Sequence, residues 1–367
     1  RGRLFCRRTL PHSPHAAMNS LIPLIGMTLG QLQQVAAECG MPRFAAKQMC
    51  RWLYEKRATD ISQMTDLSKP AREKLAKRYT IGLEAPLSQA VSTDGTIKYL
   101  FRGCGGRAVE AVYIPDGERA TLCVSSQAGC RMGCTFCMTG RYGYQGDLTT
   151  HQIMNQVLAI PQSLSLTNIV FMGMGEPLDN LDAVMQAIEI LTAPWGLAWS
   201  PKRITVSSIG KMPQLQTLLS QTKVHIAISL HSPLTSQRAE IMPVERAFPI
   251  KKVLETLRQY DFSHQRRLSV EYIMWKDVND SPRFAQSLAR LLDGLECRVN
   301  LIRYHSSGLD TGEPQCSNTE TMEYFRDRLN QLGITATIRT SRGEDIAAAC
   351  GMLAGKPDNT DSKEQKT

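Results

Sequence analysis

Between residues 28 and 79 apolar side chains recur at helical intervals. Leu29, Leu32 and Val35 make one stripe, Phe44, Met49, Trp52 and Leu53 a second, and Leu67 and Leu75 a third. A 3.6-residue repeat turns such positions to one face, so three short helices are predicted, punctuated by Gly40, Pro42 and the start at Lys69–Pro70. Residues 84–95, EAPLSQAVSTDG, lose the pattern and predict a turn-rich linker. Three β-like runs follow at 97–101, 108–114 and 120–125, and Asp116–Gly117 between the last two is a hairpin signal.

From Leu148 onward extended and helical patterns alternate. Strands are expected at 168–172, 203–207, 224–229, 268–274, 298–302 and 335–339, with helices including 181–191, 251–260, 283–292 and 319–332 between them. Repeated βα units imply an α/β fold on a parallel sheet, here a partial (β/α)6-type barrel, whose sites lie at the carboxyl ends of the strands. The expected organisation is a leader at 1–17, a small basic helical domain at 18–83, a linker with a short β extension at 84–118, the barrel at 119–355 and a polar tail at 356–367. The leader lacks the apolar stretch of a secretory signal, and Met18 reads as a natural start.

Charge is unevenly placed. The 367 residues carry a net +9, yet residues 1–83 hold 14 Lys/Arg against 5 Asp/Glu, and the rest balances at 29 against 29. A basic third beside a neutral body suggests a polyanion-docking module next to a catalytic core, which for RNA means phosphate contacts. No run approaches the roughly 18 apolar residues of a membrane span.

Eleven cysteines, an odd number in a long chain, argue against a disulfide framework and for a reducing cytoplasm. Cys130, Cys134 and Cys137 form C-x3-C-x2-C in a loop after a strand. A structural zinc site wants four ligands in spaced pairs, and no second pair follows. Three thiolates suit a 4Fe–4S cluster with one iron open to another ligand. In MGMGEP, Gly175 allows close backbone approach and Glu176 can accept from an ammonium group.

The cluster, with TLCVSSQAGC, CMTGRYGYQG, VFMGMGEPLDN, ITVSSIG, AISLHSP, VNLIRYH and SRGEDIAAACGMLAG, resembles the RlmN/Cfr family of radical S-adenosylmethionine (SAM) RNA methyltransferases, in the family's order over about residues 28–355. The resemblance implies that Cys130, Cys134 and Cys137 hold a 4Fe–4S cluster, and that two SAM molecules are used per turnover. It also implies that Gly175, Glu176, Ser207, Ser229, Leu230 and His231 contact SAM. His305 stands where the family usually has Asn.

By the same resemblance Cys350 is the methyl-carrying cysteine. Adenine C2 is electron-poor and cannot attack SAM, whereas a thiolate can. The S-methyl group would become a methylene radical that adds to C2, leaving a protein–RNA thioether. Cys123 matches the resolving cysteine, which would form a transient disulfide with Cys350, and Glu110 matches a proton acceptor. Whether Glu110 or Cys123 takes the C2 proton stays open. Arg141, Tyr142 and Tyr144 offer contacts to an everted base.

The implied activity is methylation of adenine C2 in 23S rRNA and of the adenosine 3′ of the anticodon in tRNA. It would run in the cytoplasm as a monomer, with a flavodoxin-type electron donor. Adenine-C8 methylation, an RNA-binding metal module without turnover and a radical enzyme acting on protein are the competing readings.

Overall fold

The computed structural model describes residues 21–306 and 314–354; the expected leader, Met18 and the tail lie outside the described residues. The helical module forms as its capping residues direct. Thr28 and Gln31 close a capping box on α1 (Leu29–Glu38), and Ser68 caps α3 (Lys69–Ala76) with Pro70 in its first turn. Between them α2 (Ala45–Cys50) runs into a wider π turn over Arg51–Glu55. A short parallel pair, β1 (Ile22–Pro23) with β2 (Tyr79–Thr80), ties the two ends of the module together. Its apolar stripes, including Leu32, Met49, Leu53 and Leu75, are buried in the same core as the rest of the chain. Tyr54 packs its ring 6.2 Å from Trp195 across that junction.

A ten-stranded sheet makes up the remainder. β3 (Ser88–Val91), β4 (Ile97–Arg102), β5 (Ala108–Asp116) and β6 (Arg119–Cys123) pair antiparallel in sequence. The predicted linker is therefore partly a strand. β3 escaped the reading because its SQAV sequence sits at the sheet edge, mostly exposed, and carries no apolar alternation. The Asp116–Gly117 signal is a two-residue hairpin, with Asp116 opposite Arg119.

β7 (Gln127–Ala128) and β8 (Gly146–Asp147) form a separate small pair, with α4 (Met138–Arg141) between them. β6 then pairs parallel with β9 (Asn168–Phe171), followed by β10 (Ile204–Ser208), β11 (His225–Ser229), β12 (Leu268–Met274), β13 (Arg298–Arg303) and β14 (Ala336–Ile338). The crossovers hold α5 (Thr150–Leu158), α6 (Leu181–Thr192), α7 (Gln214–Gln221), α8 (Thr235–Ile241), α9 (Ile250–Leu257), α10 (Pro282–Leu292) and α11 (Thr319–Gln331).

The sheet curls. Arg339, just past β14, places Nη1 3.6 Å from the sulfur of Met172, just past β9, although four strands lie between β14 and β9. In a flat sheet those two strands would stand about 24 Å apart. The fold is thus a partial barrel, with edges at β14 and β3 among the described residues.

Candidate active site

The curl gathers the carboxyl ends of the strands around a cavity of about 190 Å³. Cys123, Ser207 and Ser229 reach it from β6, β10 and β11; Gly175, Glu176 and His231 reach it from the loops after β9 and β11. Cys130, Cys134 and Cys137 line it from the loop after β7, and Cys350 from the C-terminal segment. Residues spread over more than two hundred positions therefore meet at one site. Glu110, Leu230 and His305 lie outside its lining. Leu230 is fully buried, with its amide donating to Glu271 and its carbonyl accepting from Arg238. His305 bonds Ser341 Oγ at 2.9 Å and stands 3.9 Å from Glu344.

The cysteine loop is pinned from outside. Arg131 lies 3.6 Å over the Tyr144 ring and 3.6 Å from Asp179, which also pairs with Lys211. One face of Tyr144 is thus already taken within the protein, and Arg141 donates to the Thr135 carbonyl. Burial, with the neighbouring thiols adding, pushes Cys130 up to about 12 and Cys134 further still. As bare thiolates these groups would sit badly; a bound metal cation offsets that penalty by taking them as thiolates. Among the described residues no three His, Cys, Asp or Glu side chains converge on a single ion. Cys130, Cys134 and Cys137 nonetheless line one cavity, and three thiolates are the donor type that a 4Fe–4S cluster with one open iron takes.

Beside the cysteines the MGMGEP turn comes closer to the β6–β7 segment than any side chain allows. A Cβ on Gly173 would stand 2.7 Å from Ser125 Oγ, and one on Gly175, at φ +97°, 2.5 Å from Gln127 Cβ. That approach buries Glu176, whose oxygens accept from the amides of Leu178 (3.0 Å) and Ile209 (3.1 Å). Burial nevertheless pushes its carboxyl up to about 7 against those bonds. The remaining lone pairs leave it able to take a cation. His231, at φ +56°, accepts from Ile273 N on Nδ1, so its proton sits on Nε2. Burial, and Arg238 nearby, pull it down to about 3, which keeps it neutral. Phe136, from the cysteine loop, packs edge-on to it at 4.8 Å. Fully buried Arg238 holds the β11 end through the carbonyls of Ser229 and Leu230, both at 3.0 Å, and pairs with Glu245.

The two outlying cysteines are both free thiols. Cys123 is buried and pushed up to about 12 by its burial and by Cys350; Cys350 is exposed. The segment carrying Cys350 is tied along its length to the β extension. Gly343 N donates to Asp94 (3.0 Å), Ser92 Oγ to Asp345 (2.5 Å), Lys98 to the Ala347 carbonyl (3.3 Å) and Ala354 N to Glu110 (2.8 Å). Met138 N and Thr139 Oγ1, beside the cysteine loop, donate to the carbonyls of Gly351 and Leu353. Glu110 is buried rather than turned to solvent, with Lys98 3.2 Å from its other oxygen. It shares a strand face with Val112, which stands opposite Cys123.

Sequence reasoning missed Arg238, Glu271 and Arg339. Glu271 carried a readable signal, an acid inside the otherwise apolar strand LSVEYIM of a parallel sheet.

Residues 22–81 match the ribosomal RNA large subunit methyltransferase N-terminal domain, and residues 124–285 match the radical SAM superfamily. A probable dual-specificity RNA methyltransferase RlmN of Bacteroides fragilis is 56% identical over 333 residues, 90% of this chain and 96% of that relative. A dual-specificity RNA methyltransferase RlmN of Syntrophotalea carbinolica is 42% identical, over 91% of this chain and 90% of its own length. The crystal structure of a radical SAM methyltransferase from Sphaerobacter thermophilus superposes with a TM-score of 0.85 at 38% identity, covering 91% of this chain and all of the other.

Proposed function

The chain belongs to the RlmN family of radical SAM RNA methyltransferases, and from that membership we propose that it methylates C2 of one adenosine in 23S rRNA and of the adenosine 3′ of the anticodon in tRNA. Its cofactors are a 4Fe–4S cluster and SAM. The observation that carries the reading is that one cavity is lined both by the cysteine triplet and by Cys123 and Cys350.

In this reading Cys130, Cys134 and Cys137 hold the cluster. Glu176 takes the SAM ammonium, and Gly175, Ser207, Ser229 and His231 form the rest of its cradle. Bound there, the cluster supplies one electron, and SAM supplies both the methyl group and the hydrogen-abstracting species. Cys350, exposed at the mouth, accepts the methyl group and carries it to the base as a thioether. Cys123, below it, attacks the sulfur of Cys350, so that a transient disulfide frees the product. Glu110 or Cys123 takes the proton from C2. The basic module grips RNA phosphates, and a flavodoxin-type protein in the cytoplasm reduces the monomeric enzyme. No helix among the described residues is long and apolar enough to cross a membrane.

Anaerobic turnover with methyl-deuterated SAM, a flavodoxin-type reductant and unmodified 23S rRNA or tRNA tests this. 2-Methyladenosine carrying two deuteriums is expected, because one deuterium leaves Cys350 and a solvent proton replaces it. 8-Methyladenosine, or three deuteriums retained, would overturn the reading.

A further inference from the structure

Arg339 is the one Lys or Arg lining the cavity among the described residues, and the mechanism above leaves it unused. Building on that mechanism, we propose that Arg339, oriented by Glu271, stabilises the Cys123 thiolate and so controls resolution of the protein–RNA thioether.

The geometry is specific. Arg339 N donates to the Leu301 carbonyl at 2.8 Å, fixing its Cα at the end of β14. Its Nη1 stands 3.5 Å from Glu271 Oε2 and 3.6 Å from Met172 Sδ. Met172, Cys123, Cys350 and Arg339 line the same cavity, so the guanidinium shares the space into which both thiols open. Glu271 is itself rigid, since Oε1 accepts from Ser269 Oγ and Asn300 Nδ2, both at 2.8 Å. Its buried Oε2 has no hydrogen bond and is left to face Arg339. The ion pair at 3.5 Å and the bond to Met172 Sδ both use Nη1, which leaves the guanidinium's other nitrogens to donate to a sulfur.

The electrostatics agree from both sides. Arg339 is held above its ordinary range, against its own burial, by Cys350, Glu271 and Cys123. Arg339 in turn offsets part of the burial that pushes the Cys123 thiol up. The groups facing Cys123 are thus Cys350 from the C-terminal segment, Arg339 past β14 and, behind it, Glu271 on β12. A buried nucleophilic thiol needs such a cation to ionise near neutrality.

The step served is a balanced displacement. The Cys123 thiolate attacks Sγ of Cys350 and a sulfur–sulfur bond forms. The bond from Cys350 Sγ to the methylene carbon breaks, and its electron pair passes to that carbon, which takes a proton and becomes the methyl group. The sulfurs lose the two electrons that the carbon gains, and a dithiol later reopens the disulfide.

The test uses reconstituted holoenzyme with SAM and RNA, comparing wild type, Cys123→Ala, Arg339→Met and Arg339→Lys. Cys123→Ala is the control that accumulates the covalent adduct. Arg339→Met is expected to form 5′-deoxyadenosine and S-methylated Cys350 as wild type does, yet to resolve the adduct about tenfold slower or worse. Its resolution should recover about tenfold per pH unit between pH 7 and 9, while Arg339→Lys resolves nearly as wild type. Wild-type resolution by Arg339→Met, or loss of deoxyadenosine and S-methylation while Arg339→Lys retains both, would overturn the assignment. Absence of S-methylated Cys350 in wild type would instead overturn the underlying mechanism together with it.

Discussion

Glu176 carries a cost that the proposed contact with the SAM ammonium would explain. Its carboxyl titrates near 7 rather than 4.5 because burial outweighs the hydrogen bonds it accepts. Between those values the folded protein binds the proton and the unfolded chain does not. Stability is therefore fullest below pH 4.5 and is lost as pH rises through 7. Glu176→Gln, which stays neutral, should remove that loss. Without SAM, the variant is expected to be more stable than wild type at pH 8 by about 1–3 kcal/mol and to show no such advantage at pH 4.5. Urea unfolding at the two pH values measures this. SAM affinity, read by calorimetry, should fall about tenfold or more with the charge gone. Equal stability of both proteins at pH 8 would contradict the account.

Most residues of the site were readable where the signal was local, as in the spacing of Cys130, Cys134 and Cys137. Arg339 gave no such signal. It is one of many arginines until the curl carries β14 round to β9, and a sequence does not display a curl.

Among the elements, the β extension has the clearest structural task. Its strands belong to the barrel's own sheet and hold the segment bearing Cys350. Asp94 accepts from Gly343 N and Thr96 N, and although burial opposes it, these bonds hold its carboxyl well below the usual range. Asp94→Ala should free that end of the segment, at about 1–3 kcal/mol for a charged hydrogen bond. Hydrogen exchange over 341–354 is expected to quicken. Product yield should fall while deoxyadenosine formation from SAM persists. Unchanged exchange there would mean that the other ties suffice.

The central strands were legible because parallel strands buried on both faces are nearly all apolar. β3 was not, since an edge strand with one paired side tolerates SQAV. The role of 84–118 as a platform was equally hidden, because its partners lie some 250 residues away.

Across the whole molecule, charge and chemistry are separated. Lys69, Arg72, Lys74, Lys77 and Arg78 cluster in and after α3, and none of them lines the cavity that holds the cysteine triplet. If that face grips phosphates, the triple variant Lys69→Ala, Lys74→Ala, Lys77→Ala should bind RNA more weakly and with a shallower salt dependence. The slope of log K against log salt should drop by about 2–3, while SAM cleavage without RNA stays at the wild-type rate. Filter binding from 50 to 200 mM salt reads the slope. An unchanged slope would place the RNA contacts elsewhere.

The ties between the β extension and the Cys350 segment also set an order of assembly. A chain emerging from the ribosome makes residues 84–137 long before residue 350, so the cysteine triplet and Cys123 exist while their partner thiol is still untranslated. Cys350 then reaches the cavity only as residues 343–354 lock onto strands folded some 250 residues earlier. Cys350, the proposed methyl carrier, is thus the last part fitted. A prematurely terminated chain retains the Cys130–Cys137 loop but lacks the thiol through which, in the proposed mechanism, the enzyme joins itself to RNA.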